Sequence, residues 1–250
     1  MDKIYSGPAR VTYYDVDRES KLKLSALMRM INIAAEENAN DLMIGLNDLN
    51  PHNIAFVLQR YGLDISCMPS YNQKLTVRTW PGEISKGMFH RYGEMLATDG
   101  SKCMEWITQW VLLDLSARKI LRPNALPVHL PQYGNLGVHA QGKRIAIPQG
   151  ESNIISQSTH TVRYSDLDTN GHTNNTIYGD MIINTMSNGL IAPCDWKQIN
   201  INYYAESFLD DVLCMRCYTG EAPNSYVVEG KMTQVDGSPP KTAFAAEFVG

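Results

Sequence analysis

Long apolar runs are missing from this sequence. The longest, such as Val111–Leu113, fall far short of the ~20 residues that a membrane-spanning helix needs, so no stable membrane insertion is expected. An apolar targeting core is missing near the N-terminus as well. Tyr5-Ser6-Gly7-Pro8 stands where one would have to run, and a cytoplasmic protein is expected. A basic excess is absent too: the formal net charge is −4. An extended nucleic-acid surface normally needs the opposite sign, so no nucleic-acid partner is expected. Cysteine is sparse and odd in number (Cys67, Cys103, Cys194, Cys214 and Cys217), which suggests reduced thiols rather than a disulfide framework. Cys214-Met-Arg-Cys217 has the C-x-x-C spelling. It lies in an alternating segment, where positions three apart face opposite ways, so no metal or cofactor is expected.

What is present is the balance of a soluble globular chain, 44% hydrophobic and 19% charged, and an internal repeat. Val11-Thr-Tyr-Tyr-Asp-Val-Asp17 resembles Val162-Arg-Tyr-Ser-Asp-Leu-Asp168, with valine, tyrosine and both aspartates in register. A helical apolar period follows each copy, from about Ser25 to Leu46 and from about Asn174 to Ile191. Ser25 and Asn174 or Asn175 are the expected N-caps, and Gly45 and Gly189 the expected left-handed stops. Alternating segments then follow: Tyr61–Cys67, Lys74–Trp80, Phe89–Ala97 and Trp106–Leu115 in the first half, and Gln198–Tyr204, Asp211–Tyr218, Tyr226–Gln234 and Thr242–Val249 in the second. Pro81-Gly82, Asp99-Gly100 and Asp236-Gly237 are the expected turns between strands. The stretch Arg122–Gly150, rich in proline and glycine, reads as a connector. These patterns predict an α+β protein made of a duplicated unit, residues 1–122 and 151–250 joined by 123–150, each with a long helix lying against an antiparallel sheet.

Only the second copy turns the repeat into a chemical cluster. Asp168-Thr-Asn170-Gly-His172 stands where the first copy has Asp17-Arg-Glu-Ser-Lys21. Architecture kept in both halves, with polar chemistry in one, suggests a single active site. In an extended or looped stretch, Asp168, Asn170 and His172 can project together: a carboxylate, an amide that both donates and accepts, and a titratable imidazole.

Tyr164-Ser-Asp-Leu-Asp-Thr-Asn-Gly-His-Thr-Asn-Asn175 resembles the signature of the acyl-acyl carrier protein thioesterases, and Ile201-Asn-Tyr-Tyr-Ala-Glu206-Ser207 resembles the strand whose Glu completes that family's site. With Thr108–Asp114 also in family order, the likeness covers nearly the whole chain. It implies two tandem hotdog domains, each an antiparallel sheet wrapped around a long helix. It also implies hydrolysis of fatty acyl-acyl carrier protein to free fatty acid, with Asp168, Asn170, His172 and Glu206 as the site. Ser207 replaces the cysteine that often follows the Glu, and a serine hydroxyl needs far stronger activation than a thiol. Carboxylate-based chemistry is therefore expected, with Glu206 orienting His172, Asp168 as nucleophile or base, Asn170 holding the thioester or water, and backbone N–H groups after His172 stabilising the oxyanion.

The resemblance further implies an acyl tail held in the first half. Met28, Ile31, Met43, Phe56 and Trp110 are the candidate lining residues, and Lys86, Arg91, Lys143, Arg144 and Lys197 the candidate basic contacts for an acidic carrier. A monomer or a homodimer is compatible with two fused domains. The competing functions are a coenzyme A thioesterase, an acyl-thioester hydratase or dehydratase, and a non-catalytic acyl-binding module.

Overall fold

The computed structural model describes residues 3–151, 153–186, 196–233 and 239–250. In chain order the first half contains β1 (Tyr5–Arg10), α1 (Leu24–Asp41), the single-turn α2 (Leu46–Leu49), β2 (Ile54–Ile65), β3 (Lys74–Ser85), β4 (Met88–Ala97), β5 (Lys102–Asp114) and the short β6 (Lys119–Leu121). The second contains β7 (Ile154–Thr161), α3 (Ile177–Met186), β8 (Gln198–Tyr203), β9 (Val212–Thr219), β10 (Ser225–Met232) and β11 (Lys241–Val249). These strands form one sheet in the order β1-β3-β4-β5-β2-β8-β11-β10-β9-β7, with β6 added beside β5. Outward from the antiparallel β2–β8 seam, the arms match element by element, so the repeat seen in the sequence is a repeat in space. Each half is an antiparallel sheet around a helix, the α+β tandem hotdog arrangement. Among the described residues no helix is long and apolar enough to cross a membrane.

The helical period of α1 is the reason it lies on the sheet. Leu24, Leu27, Met28, Ile31, Ala34, Ala35 and Asn38 recur three or four apart and are buried. Each large apolar side chain buried this way contributes roughly 1.5–3 kcal/mol. They share one core with Val77, Met95 and Trp106 of their own sheet and with Tyr178, Met181 and Ile182 of α3. The helices touch each other. At Gly179 an added Cβ would lie 2.9 Å from the Ser25 backbone nitrogen, so glycine sets that approach.

Several boundaries differ from expectation. Ser25 does not cap α1; it sits inside the first turn and its hydroxyl donates to Asp180 across to α3 at 2.5 Å. α1 ends at Asp41 rather than near Leu46, and Gly45 is not its left-handed residue. Met43 is (φ 58°), closing a Schellman turn in which Ile44 N–H donates to Ala39 O and Met43 N–H to Asn40 O. Two backbone bonds outweigh the modest steric cost of a side chain there. Pro81-Gly82 is not a turn but a bulge inside β3, where proline's missing donor is tolerated; Lys86-Gly87, both left-handed (φ 51° and 80°), make the hairpin. Asp99-Gly100 does join β4 to β5. Asn174 accepts from Thr176 N–H at the entry to α3. Gly189, Cys194 and Asp236-Gly237 lie outside the described residues.

The connector does more than cross over. Residues 138–147 lie on the face of the sheet opposite the helices, where Val138 and Ala140 cover Trp80, Tyr92 and Ile107. The segment is pinned by side chains reaching up from the strands. Glu105 accepts from the His139 and Ala140 N–H groups at 2.5 and 3.2 Å. Asn200 accepts from Lys143 N–H at 3.1 Å, and Asn202 accepts from Ile145 N–H at 3.2 Å. The connector crosses the seam at Gly62, where a Cβ would come within 2.3 Å of the Gln141 carbonyl oxygen.

Burial of Glu105 opposes its ionisation, but the Lys102 ammonium at 2.7 Å and the two connector N–H groups outweigh burial and hold its carboxyl below the ordinary glutamate range. A carboxyl lowered by folding adds stability above its unfolded value, near 4.3, and loses it as pH falls through the folded value. Glu105→Gln is therefore expected to lower stability at pH 7 by about 1–3 kcal/mol. The variant should also flatten the acid limb of the stability–pH curve, measured by urea unfolding between pH 6 and 3. An unchanged acid limb would refute the assignment.

Candidate active site

The Asp168–His172 stretch is a tight loop rather than a strand. Tyr164–Asp166 forms a turn of 3-10 helix, and Asp168 N–H then donates to His172 O at 2.8 Å across Gly171, which is left-handed (φ 75°). The Asp168 carboxylate closes this loop from within: Oδ1 accepts from Asn170 N–H at 2.8 Å and from His172 N–H at 3.3 Å.

The first repeat builds the same loop without the chemistry. Asp17 N–H donates to Lys21 O, and Asp17 Oδ1 accepts from Glu19 and Lys21 N–H, both at 2.9 Å. Ser20 takes the left-handed position of Gly171 (φ 61°). Leu22 N–H donates to Pro69 O as Thr173 N–H donates to Ser207 O, which makes Met68 the counterpart of Glu206 and Lys21 that of His172. The aspartate therefore holds a loop in both halves. The imidazole and the glutamate belong to one half.

Glu206, just past the end of β8, reaches back to the loop. His172 Nδ1 lies 3.4 Å from Glu206 Oε1, and Glu206 Oε2 accepts from Arg118 Nη2. Arg118 comes from the turn between β5 and β6, so the first half supplies a cation to the second half's site. The Phe208 ring stands edge-on to the His172 ring, centroids 4.9 Å apart. Neither Arg118 nor Phe208 was visible in the sequence. Arg118 meets Glu206 across 88 positions, and no repeat counterpart marks it.

Ser207 is fully buried, and its hydroxyl oxygen lies 2.7 Å from both Thr173 Oγ1 and the Tyr178 hydroxyl oxygen. Burial raises the Tyr178 hydroxyl's pKa, against the opposing pull of Ser207, so it stays a neutral partner in this trio. Of the backbone N–H groups after His172, Thr173 bonds to Ser207, Asn174 to Asp166, Thr176 to the Asn174 side chain and Ile177 to the Asn174 carbonyl, whereas Asn175 N–H has no such bond among the described residues. The Asn170 carboxamide is exposed and has no hydrogen-bond partner among the described residues.

Asp168, Asn170, His172, Arg118 and Glu206 line a cleft of about 720 Å³. A second, apolar cavity of about 260 Å³ lies within the first half, between α1, the α2 turn, β2 and β4. Ala55, Phe56, Trp110, Leu115 and Asn170 line both, so the two spaces share a wall. Of the residues that the sequence offered for an acyl site, Phe56 and Trp110 line this cavity. Met28 and Ile31 are sealed in the shared core, and Met43 is 60% exposed at the end of α1. The other wall residues are Ala35, Ala39, Ile44, Leu49, Ile54 and Phe89; the two alanines continue along α1 the stripe of Ser25, Met28 and Asn32 that meets α3 and its entry. Of the basic residues, Lys86, Lys143, Arg144 and Lys197 are exposed, whereas Arg91 is buried and lines this cavity. Its place on β4 follows from period-two alternation: Arg91 points to the same face as Phe89, toward α1. No cluster able to hold a metal ion occurs among the described residues.

Two family descriptions match the sequence: the acyl-ACP thioesterase N-terminal domain over residues 2–124 and the acyl-ACP thioesterase C-terminal domain over residues 151–246. Three solved structures share the fold over nearly their whole length. An acyl-ACP thioesterase from Bacteroides thetaiotaomicron is 24% identical with a TM-score of 0.84, covering 99% of this chain and 97% of its own. The 12:0-ACP thioesterase from Umbellularia californica is 15% identical with a TM-score of 0.82, covering 100% and 97%. A putative oleoyl thioesterase from Lactobacillus plantarum is 19% identical with a TM-score of 0.78, covering 98% and 94%. A comparison with curated proteins finds no match.

Ser207→Ala should cost about 1–2 kcal/mol, the order of a lost buried hydrogen bond, and leave turnover within a few-fold of wild type. Thermal melting and initial rates measured side by side check this. A collapse in rate with the fold intact would make the serine a nucleophile.

Proposed function

The chain belongs to the acyl-ACP thioesterase family, and from that membership we propose how its own residues hydrolyse the thioester of a fatty acyl chain carried on acyl carrier protein. The observation that carries the reading is the shared wall. A polar cleft with an imidazole, the Asn170 amide and a paired carboxylate adjoins an apolar cavity built mainly from the other half. A fatty acyl thioester has that division, a reactive polar end and a long apolar tail. The first half (1–122) then holds the tail, 123–150 braces the sheet, and the second half (151–250) carries the chemistry.

With Nδ1 of His172 facing Glu206, Nε2 is the nitrogen left to act on the cleft. It accepts a proton from water as the water oxygen attacks the thioester carbon. The amide of Asn170 donates to the carbonyl oxygen as negative charge gathers there. When the carbon–sulfur bond breaks, His172 returns the proton to the departing thiolate, leaving a free fatty acid and the carrier thiol. Glu206 orients the imidazole and is itself held by Arg118. Asp168 is a positioning residue, because its Oδ1 is committed to the two loop N–H groups that Asp17 also binds in the half without the cluster.

Thiol release from saturated acyl carrier protein substrates tests these roles. His172→Ala is expected to lose at least about 10²-fold in kcat, the scale of general acid–base work. Asp168→Ala should lose turnover while Asp168→Asn, which keeps the loop acceptor, recovers much of it; equal collapse of both would return the nucleophile or base role to the carboxylate. Ala39→Phe, which fills the apolar cavity, should shift preference to shorter chains with His172 chemistry intact. An unaltered chain profile would remove the tail from this cavity.

A further inference from the structure

Arg91 is a charged side chain in an apolar place. It is 7% exposed, and its neighbours on the cavity wall include Ile44, Leu49, Ile54 and Phe89. Burial works against its charge and lowers the guanidinium's pKa to about 10, which still leaves it protonated at neutral pH. Among the described residues no carboxylate lies within 4.0 Å of it. Its hydrogen bonds are to neutral groups and come from one nitrogen: Nη1 donates to Asn38 Oδ1 at 2.6 Å and to Thr79 Oγ1 at 3.5 Å. Asn38 and Thr79 are fixed in turn by donating to the Lys3 and Tyr92 carbonyls.

A guanidinium carries five N–H donors. Nε and Nη2 make no hydrogen bond among the described residues, and neither is a sealed, unpartnered atom; that condition is met by Trp106 Nε1 and Trp196 Nε1. The donors therefore open onto the cavity. Arg91 is also remote from the chemistry: Trp110 on β5 bounds both spaces, whereas Arg91 lies one strand further out on β4 and borders only the apolar cavity of the two. The acidic wall residue Glu36 is exposed on α1 and does not reach the guanidinium.

We propose that Arg91 is a specificity-determining residue that reads the far end of the acyl chain, and that the preferred substrates are fatty acyl thioesters bearing an acceptor oxygen, a hydroxyl or carboxylate, near the distal end. A plain hydrocarbon tail reaching this depth strips the guanidinium of water and gives nothing back. An oxygen at that depth takes up the N–H groups of Nε and Nη2 in the parallel geometry that arginine presents. Sites built around a buried hydrogen-bonding group reject analogues that lack its partner. This inference rests on the reading of the cavity as the tail site, and it adds which tails are favoured.

The test compares kcat/KM for plain, ω-hydroxy and ω-carboxy acyl thioesters of acyl carrier protein, from C6 to C16, with the wild-type protein. At the length that first reaches Arg91, an oxygenated chain is expected to exceed its plain counterpart at least about ten-fold. Arg91→Met keeps the bulk and removes the donors. It should abolish or invert that preference, with circular dichroism and thermal melting showing that the variant is folded. Arg91→Lys should retain part of the preference for ω-carboxy chains. A wild type that favours plain chains at every length, or a preference unmoved in Arg91→Met, would overturn the proposal. Failure to hydrolyse any chain, hexanoyl included, would strike the thioesterase reading itself and is distinguishable from both.

Discussion

Five pairs, Arg60↔Asn202 through Asp64↔Gln198, hold β2 against β8 and make one sheet of two. The rest of the arrangement depends on that seam. Because each strand is the innermost of its own half, pairing them places α1 and α3 side by side on one face, and Gly179 can then approach Ser25. The same pairing brings the β5–β6 turn beside the end of β8, where Arg118 meets Glu206. On the opposite face the connector can cross because Gly62 offers no Cβ. A side chain at Gly62 would therefore disturb the connector and the seam together.

Duplication explains the division of labour. Both halves need the aspartate-closed loop, because it turns the chain from the edge strand into the helix; Asp17 and Asp168 make the same pair of backbone contacts. The first half has Lys21 where the second has the imidazole and Met68 where it has the glutamate. It also has a space beside α1. The small side chains of Ala35 and Ala39 permit that space, which the α2 turn helps to wall. The second half keeps its polar residues close to the seam, where the first half can reach them.

What the sequence made legible follows from periodicity and repetition. The 3.6 period of Leu24–Asn38 and the two-residue alternation of the paired strands are local signals, and the strand order could be matched between halves because the chain repeats. Asp168, Asn170 and His172 stood out as one copy's departure from the other, and Glu206 through the resemblance of its strand to the family's. What escaped depended on tertiary placement. β1 and β7 are edge strands with weak alternation, and their pairing partners are far away in the chain. The bulge at Pro81 reads locally as a turn. Arg118 and Phe208 acquire meaning only once the halves have come together.

Arg91 shows the same limit most sharply. By composition it is one more basic residue, suited to a solvated face that an acidic carrier would touch. Its neighbours in sequence give no warning, since Phe89 and His90 are compatible with either orientation of β4. The register that pairs Arg91 with Thr108 and turns it toward Asn38 is what buries it. A buried charge without an opposite charge is costly in a protein interior, and here Asn38 and Thr79 meet only part of the guanidinium's donor capacity. The remainder faces the space into which a substrate tail would run. The half without the polar cluster thus holds a buried charged group, placed, on the proposed reading, to discriminate between tails instead of acting on a thioester.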